Sequence, residues 1–392
     1  MFDFLKRKRN WANMDAFEGR ETSSGFPVTE KSILGIPAVF ACVRVLSESV
    51  AALPLLVFKK DAHGDRTRAD NFSLYNILHR APNPLMTSFE LRELLMGHLC
   101  LRGNAYIYIQ RFEGEVVALW PLHPDRMSVE VLDGVPLYRY QPDGQEVVYQ
   151  EDEVLHIKGL SSDGLIGYSP LDLCRDTWGA AKATSDFAAN YFKNDASPGG
   201  ILTHPGALGV DGYSNLKQSW EAGFKGKGNK HKVAILEGGM EWQSIGVNPE
   251  QSQMMDSRKF DVVEVARIFR VPLNLVMDYE RSTYANVTEQ NRSFLTHTLR
   301  PWLSRIEQAM ERALLTERER RRYVIEHLTA DLLRADTKQR FETYEIGKRS
   351  GFLSTNEIRK FENLNGIGPE GDKYEMAAKV PPGAENGVVS AG

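Results

Sequence analysis

The stretch SPLDLCRDTWGAAKATSDFAANYFKN, residues 169–194, decides how the rest of the chain is read. Ser169, Pro170 and Asp172 form a helix-start signature: a hydroxyl cap, a proline where a missing N–H costs little, and a first-turn carboxylate. Leu171, Cys174, Trp178, Ala181, Ser185, Ala188 and Phe192 follow at steps of three and four, the spacing of one helix face. The pattern predicts one continuous helix of about 25 residues, near 37 Å at 1.5 Å per residue. Its seam is rich in small side chains, so a second helix can approach it closely. Asn194 to Gly200 ends it.

A compact insert comes next. It reads as a strand at GGILTH, a helix near SNLKQSWEAGFKG, and strands at KVAILEG and EWQSIGV. A second long helix is expected over 250–270, with Met255, Val262, Val263, Ala266 and Phe269 as its apolar stripe. Two long helices therefore flank a small α/β module. Beyond Pro272 lie a dozen turn-prone residues that include Met277, Tyr279, Arg281 and Tyr284. A structureless loop of that length inside a compact protein is usually functional or disordered. A third long helix, capped by Asn286 with Glu289, carries Phe294, Leu295, Thr298, Trp302, Ile306, Met310 and Ala313 on its seam. Pro301 must kink it, because the ring clashes with the carbonyl of His297.

Toward the N-terminus, Val39, Val43, Leu46, Val50 and Leu53 mark a helix between Pro37 and Pro54. A strand, a turn at Ala62–Asp65 and a polar return follow. Helices are expected over 72–80 and 87–101, the second capped by Thr87 or Ser88 with Glu90. From 105 to 158 the apolar period drops to two, with hairpin turns at Glu113–Gly114, Asp133–Gly134 and Asp143–Gly144. This is an antiparallel sheet region. Residues 1–30 read as a mobile arm, or less simply as an arm docking on a neighbouring subunit. The charge run from Glu317 to Arg322 reads as a solvated helix end. Residues 336–363 look helical in two pieces broken at Gly351, and 366–392 as a tail without a core.

At 392 residues, more than one sub-domain is expected. The net charge of −4 argues against a protein built to grip DNA. Three scattered cysteines form neither a zinc motif nor a disulfide framework and fit a reducing compartment. No apolar run is long enough to span a bilayer. Nine histidines are dispersed; His123 and His156, on or beside strands, are expected to be sheet or core residues. Phosphate-loop, serine-elbow and zinc-protease motifs are missing, and the glycines at 366, 368 and 371 neither follow a strand nor open a helix. No catalytic, cofactor or metal residues are assigned, and the chain is not expected to be an enzyme. Lys225, Lys227, Lys230, His231 and Lys232 form the one basic patch: a solvated loop, or a contact for an acidic partner or DNA phosphates.

Ordered short motifs run through most of the chain. They are ACVRVLSESVAALPLLVF (41–58), LHRAPNPLMTSFELRE (78–93), RGNAYIYIQR (102–111), LWPLHPDRM (119–127), EVLHIKG (153–159), GLIGYSPL (164–171), NDASPGGIL (194–202), ARIFRVPLNLV (266–276), TLRPWLSRIE (298–307) and GFLSTNEIR (351–359). In this order they resemble the portal proteins of tailed double-stranded-DNA phages, of the long-tailed lambdoid-prophage type. The resemblance implies an α+β subunit with a wing (31–168), stem helices (169–196 and 249–270) around a small α/β clip (197–248), and a tunnel-loop region (271–286). A kinked wing helix with a return strand (287–335) and a short helical crown with a flexible tail (336–392) complete it.

It further implies a homo-oligomeric ring, commonly dodecameric, at one capsid vertex of the virion, assembled in the host cytoplasm. Double-stranded DNA would pass through without sequence specificity, touching a tunnel loop of Met277, Asp278, Tyr279, Glu280, Arg281, Ser282, Thr283 and Tyr284. The clip lysines Lys225, Lys227, Lys230 and Lys232 would dock the terminase large subunit or the head–tail adaptor. Major capsid protein or scaffold would be a further partner, and no membrane is involved. Trp178, Ala181, Ser185, Ala188 and Phe192 would form the inter-subunit stem seam. The alternatives are another head–tail ring component such as an adaptor, and a DNA-processing enzyme with a concealed site.

Overall fold

The computed structural model describes residues 22–60, 66–142, 144–193, 201–206, 209–224, 239–243, 262–277, 290–329, 337–362 and 364–374. It contains two compact units, Met1–His327 and Leu328–Gly392.

The first unit corrects the expectation of a free arm through residue 30. Residues 22–29 lead directly into helix α1 (Glu30–Leu34), where Thr29 and Ser32 close a reciprocal cap. The backbone N–H and hydroxyl of Ser23 donate to Asp176 Oδ1 at 3.0 and 2.9 Å. A Cβ on Gly179 would lie 2.4 Å from Thr22 Oγ1, so the strap lies against the helix where the helix has no side chain. Residues 1–21 lie outside the described residues.

Helix α2 (Pro37–Ala51) buries Val39, Val43, Leu46 and Val50, as its spacing predicts. Strand β1 (Leu55–Lys60) pairs antiparallel with β2 (Arg66–Arg68). Helix α3 (Ser73–His79) and helix α4 (Ser88–Arg102) follow. Thr87 is the cap of α4: its hydroxyl accepts from Glu90 N at 3.2 Å, and Glu90 Oε2 accepts from Thr87 N at 2.7 Å. From the buried face of α4, Arg92 Nη2 donates to Ala51 O at 2.7 Å, placing a cation on the last carbonyls of α2. Burial pushes its guanidinium down to about 10, still charged at neutral pH.

The period-two region forms two antiparallel sheets rather than one. Strands β3 (Asn104–Phe112), β4 (Glu115–Leu122) and β8 (Val154–Lys158) make a sheet of order β4-β3-β8; β5 (Met127–Leu132), β6 (Val135–Tyr140) and β7 (Val147–Tyr149) make a second, β5-β6-β7. The expected turns join β3 to β4 and β5 to β6. In each, two successive residues take the left-handed conformation, Glu113 (φ 50°) with Gly114 and Asp133 (φ 51°) with Gly134. Tyr106, Leu122 and Val154 from one sheet meet Met127, Val129 and Tyr138 from the other in a shared core. His156 lies in that core, stacked 4.3 Å from the Tyr106 ring.

The long helix at 169–194 is broken. Ser169 caps it as expected, but α5 (Pro170–Leu173) ends at Cys174 (φ −101°, ψ 23°) and α6 (Arg175–Lys193) starts anew. In the insert, β9 (Ile201–Thr203) pairs antiparallel with β10 (Glu241–Gln243), and α7 (Val210–Phe224) lies between them in sequence. The expected strand at 232–238 lies outside the described residues. Helix α8 spans the described residues 262–269.

The third long helix changes pitch. Residues Phe294–Leu299 form a π-helix, closed by Arg300 N donating to Leu295 O, before α9 (Arg300–Leu314). Pro301 has no N–H, and the wider turn moves the carbonyls of the preceding turn away from its ring. The buried face beyond the π turn keeps Ile306 and Met310 as expected and differs at the positions on either side of them. Leu303, rather than the expected Trp302, follows Leu299 into the core, and Ile306, Met310 and Leu314 continue it. The charge run is a separate short helix, α10 (Glu317–Arg320), capped by Thr316. Strand β11 (Tyr323–His327) returns antiparallel to β1, giving a sheet of order β11-β1-β2.

The second unit holds α11 (Thr337–Arg349) and α12 (Thr355–Phe361), separated at Gly351 as expected. Residues 366–374 depart from the expected tail. Asn356 Nδ2 donates to Gly368 O and Asp372 Oδ1, each at 2.8 Å, and its Oδ1 accepts from Ile367 N at 2.8 Å. The glycine-rich stretch is thus wrapped around one side chain of α12.

Candidate functional site

The expected DNA-facing loop begins at Met277, and the structure describes how both of its ends are held. Helix α8 packs Val265, Ala266 and Phe269 inward. The Phe269 ring lies 6.1 Å from that of Trp178 on α6, with the planes 24° apart. Trp178 is 1% exposed, and its Nε1 donates to Pro170 O at 3.4 Å. This contact joins the two helices that flank the insert.

Helix α8 ends in a left-handed cap. Arg270 takes φ 56°, and Val271 N donates back to Ala266 O at 2.9 Å. Pro272 then starts a 3₁₀ turn (Leu273–Val276), which Met277 closes with φ 63° and a side chain 77% exposed. The downstream end is tied to this cap. Thr298 Oγ1 donates to Arg270 O at 2.7 Å, and Asn274 Nδ2 donates to Asn291 Oδ1 at 3.2 Å. Phe294, Leu295 and Leu299 are buried beside these contacts. Chain leaving at Met277 therefore returns near residue 290 to a fixed base.

Of the expected loop, Met277 is described; Asp278, Tyr279, Glu280, Arg281, Ser282, Thr283 and Tyr284 lie outside the described residues. So do Lys225, Lys227, Lys230 and Lys232. The stem seam is corrected in part. Trp178 is covered within the chain itself by Phe269 of α8 and by the α5 turn, and Ala181 is also buried in the single chain. Ser185 is half-buried, and Ala188 and Phe192 lie on α6 without described side chains.

A junction that the motifs did not flag positions α6. The Gly103, Gly159 and Gly167 backbones meet there, with Gly159 N donating to Gly103 O at 2.8 Å. A Cβ on Gly103 would lie 1.8 Å from Tyr168 O, and one on Gly167 would lie 2.1 Å from Gly103 O. Asn104 fastens the crossing. Its Oδ1 accepts from Gly167 N at 2.8 Å and from His156 Nε2 at 3.0 Å; its Nδ2 donates to Gly167 O at 2.8 Å and Arg102 O at 3.1 Å. Burial holds the His156 imidazole neutral, well below its usual range. The sequence signal was a glycine within each of three separate motifs, 102–111, 153–159 and 164–171, visible only once they were brought together.

Burial pushes the Cys42 thiol up to about 12 and raises Cys100 further, so neither is a nucleophile at neutral pH. Glu30, His123 and Asp125 converge, but the Arg102 guanidinium already bonds both carboxylates.

The family model described as phage portal protein matches residues 37–363. The portal protein of Enterobacteria phage HK97 is 35% identical over 360 residues, covering 91% of this chain and 84% of that one. Among solved structures, a chain from the neck of an empty gene transfer agent particle aligns with a TM-score of 0.67 at 27% identity, over 85% of this chain and 92% of that chain. One from the neck of the native particle, computed with C12 symmetry, aligns with a TM-score of 0.61 at 25% identity, over 90% and 97%.

Proposed function

We propose, on the premise that this chain belongs to the phage portal protein family and forms the portal ring at a capsid vertex of a virion, that residues 277–285 are the part of the ring that touches passing DNA. The observation that carries this is the base at Arg270, Asn274, Asn291 and Thr298. It holds the two flanking helices together at one place, so that a load on the segment between them is borne by a fixed base. One basic, two acidic and several uncharged side chains suit a surface that DNA slides past. A strongly basic loop would hold phosphates by counterion release.

The ring is proposed to hold twelve subunits, in keeping with the C12 symmetry applied to the related neck, and to pass double-stranded DNA inward during packaging and outward during ejection. Residues 31–168 serve as wing, 169–196 and 249–270 as stem, 197–248 as clip and 336–392 as crown. The clip lysines dock the terminase large subunit and later the head–tail adaptor, while the wing faces capsid protein or scaffold. The ring acts as a conduit without chemistry of its own.

Replacing residues 279–284 with a glycine–serine linker tests the loop reading. Rings of unchanged mass are expected, since no residue of the base is touched, together with at least a tenfold loss of nuclease-protected DNA in particles. Packaging and retention at the parental level would refute the assignment.

A further inference from the structure

From residue 290 to Leu314 the chain is helical throughout, and it turns Phe294, Leu295, Leu299, Leu303 and Ile306 into the core. Between Glu289 and Glu307 the sequence carries Arg292, His297, Arg300 and Arg305 and no acidic residue, in a chain of net charge −4. The folded helix leaves Arg292, His297 and Arg300 exposed on the side away from the core. Arg305 continues the row half-buried, its guanidinium carbon 5.2 Å from the centroid of the Trp302 ring. Arginines to either side of the row are neutralised, Arg267 by Glu264 and Arg312 by Glu151. Arg292, Arg300 and Arg305 have no ion-pair partner among the described residues. Glu307, the acid that ends the run, already accepts from His327 N and Nδ1, each at 2.8 Å. Like charges along one helix face repel, so a row left without counter-charges calls for an anion from outside the chain.

We propose that this row contacts the phosphates of double-stranded DNA inside the ring, directly behind residues 277–285. The proposal rests on the reading of that loop as the DNA-facing segment, since Arg292 follows Asn291 of the loop's base. Continuity with that base and the sign of the charge favour DNA as the occupant. From Arg292 to Arg305 the row runs about 20 Å at about 1.5 Å per residue, long enough to meet several phosphates spaced about 3.4 Å apart along a strand. A guanidinium bonds phosphate oxygens through two parallel N–H groups, and the Trp302 ring holds Arg305 in place to do so. Loop and row divide the work. The loop, with little net charge, meets the moving DNA, and the row supplies a sequence-independent attraction that slides along the backbone.

Purified rings and a short labelled duplex, titrated across a salt series, test this. Unaltered rings are expected to bind the duplex more weakly as salt rises. A chain carrying Arg292→Gln, Arg300→Gln and Arg305→Gln should form rings as before and bind about tenfold more weakly at low salt, with a log affinity that falls less steeply with log salt. Lysine at the same three positions should restore the steep dependence. Arg318→Gln, Arg321→Gln and Arg322→Gln together remove the same charge from exposed positions elsewhere and should leave binding unchanged.

Equal affinity and slope for the unaltered and glutamine rings overturn the row, as does equal weakening by the control set or an unaltered ring that binds no duplex at low salt. A fall in the ring fraction of the glutamine chain, with binding per ring unchanged, gives the row to a neighbouring subunit and overturns it too. The loop reading fails separately, by its packaging test. Rings with a glycine–serine linker at 279–284 keep the row, so they should bind duplex with the parental slope whether or not they package DNA. Loss of that slope in the linker rings moves the phosphate contact to the loop and overturns the row.

Discussion

Replacing Asn104 by alanine should release the segment that leads into α5 and α6. The side chain makes four buried hydrogen bonds, two given by its amide and two received by its carbonyl. Alanine leaves the Gly167 N–H and the His156 Nε2–H without acceptors, and two carbonyls short of a donor. An orphaned buried group costs about 1–3 kcal/mol, and at about 1.5–2 kcal/mol each, near the middle of that range, two donors alone amount to about 3–4 kcal/mol. Every 1.4 kcal/mol is a factor of ten in an equilibrium, so amides of residues 160–169 should exchange with deuterium two to three orders of magnitude faster in the variant. Peptide-resolved exchange on the assembled protein reads this directly. Asn104→Asp should not rescue, because it loses both donated bonds and adds a buried charge. Exchange accelerated less than tenfold would refute the reasoning, since the crossing would then be held by the glycine backbones alone.

Gly167→Ala tests that backbone contact from the other side. Its Cβ would meet Gly103 O at 2.1 Å and Gly159 N at 2.8 Å, all backbone, so soluble yield should collapse where an alanine at Gly209, which has open space and no left-handed backbone, is close to neutral. Trp178→Ala should cost about 3–5 kcal/mol by denaturant unfolding and uncouple α6 from α8, visible as faster exchange over 262–270. Stability should also fall on mild acidification. Burial, with His123 and Arg102 nearby, pushes His98 down to about 4, and burial holds His156 lower than its usual range as well. Below about pH 6.5 the unfolded chain binds protons that the folded chain refuses, so stability is full above that pH and declines toward pH 4, by about 1.4 kcal/mol per unit for each histidine. Thermal midpoints at pH 7 and pH 5 should differ, and His98→Gln should roughly halve the difference.

Features specified by neighbours in sequence were legible. The Thr87–Glu90 cap, the left-handed hairpin turns and the buried stripe of α2 each follow from a few adjacent residues, and each is present. What escaped depended on distant partners. A seam at helical spacing says that a face is covered and not by what, so Trp178 pointed to another subunit when Phe269 on α8 of the same chain lies against it. The polar run TSSGFPVT looked unstructured because its partners, Asp176 and the bare Gly179, lie some 150 residues away. At Pro301 the obstruction was foreseen, but its resolution through a π turn, and the resulting exchange of Trp302 for Leu303 in the core, was not. Of the candidate site, the loop's position between two helices was readable from Pro272 and the breaker run. The left-handed Arg270 and its bond from Thr298 were not, since arginine carries no signal for that conformation.

Native mass measurement with negative-stain imaging of the same purified sample tests the central claim most directly. A closed ring with a central hole and a mass near 530 kDa, about twelve copies of the 44.2-kDa chain, is the predicted result. A chain that remains a 44.2-kDa monomer at high concentration and in the presence of its capsid and scaffold partners would contradict it.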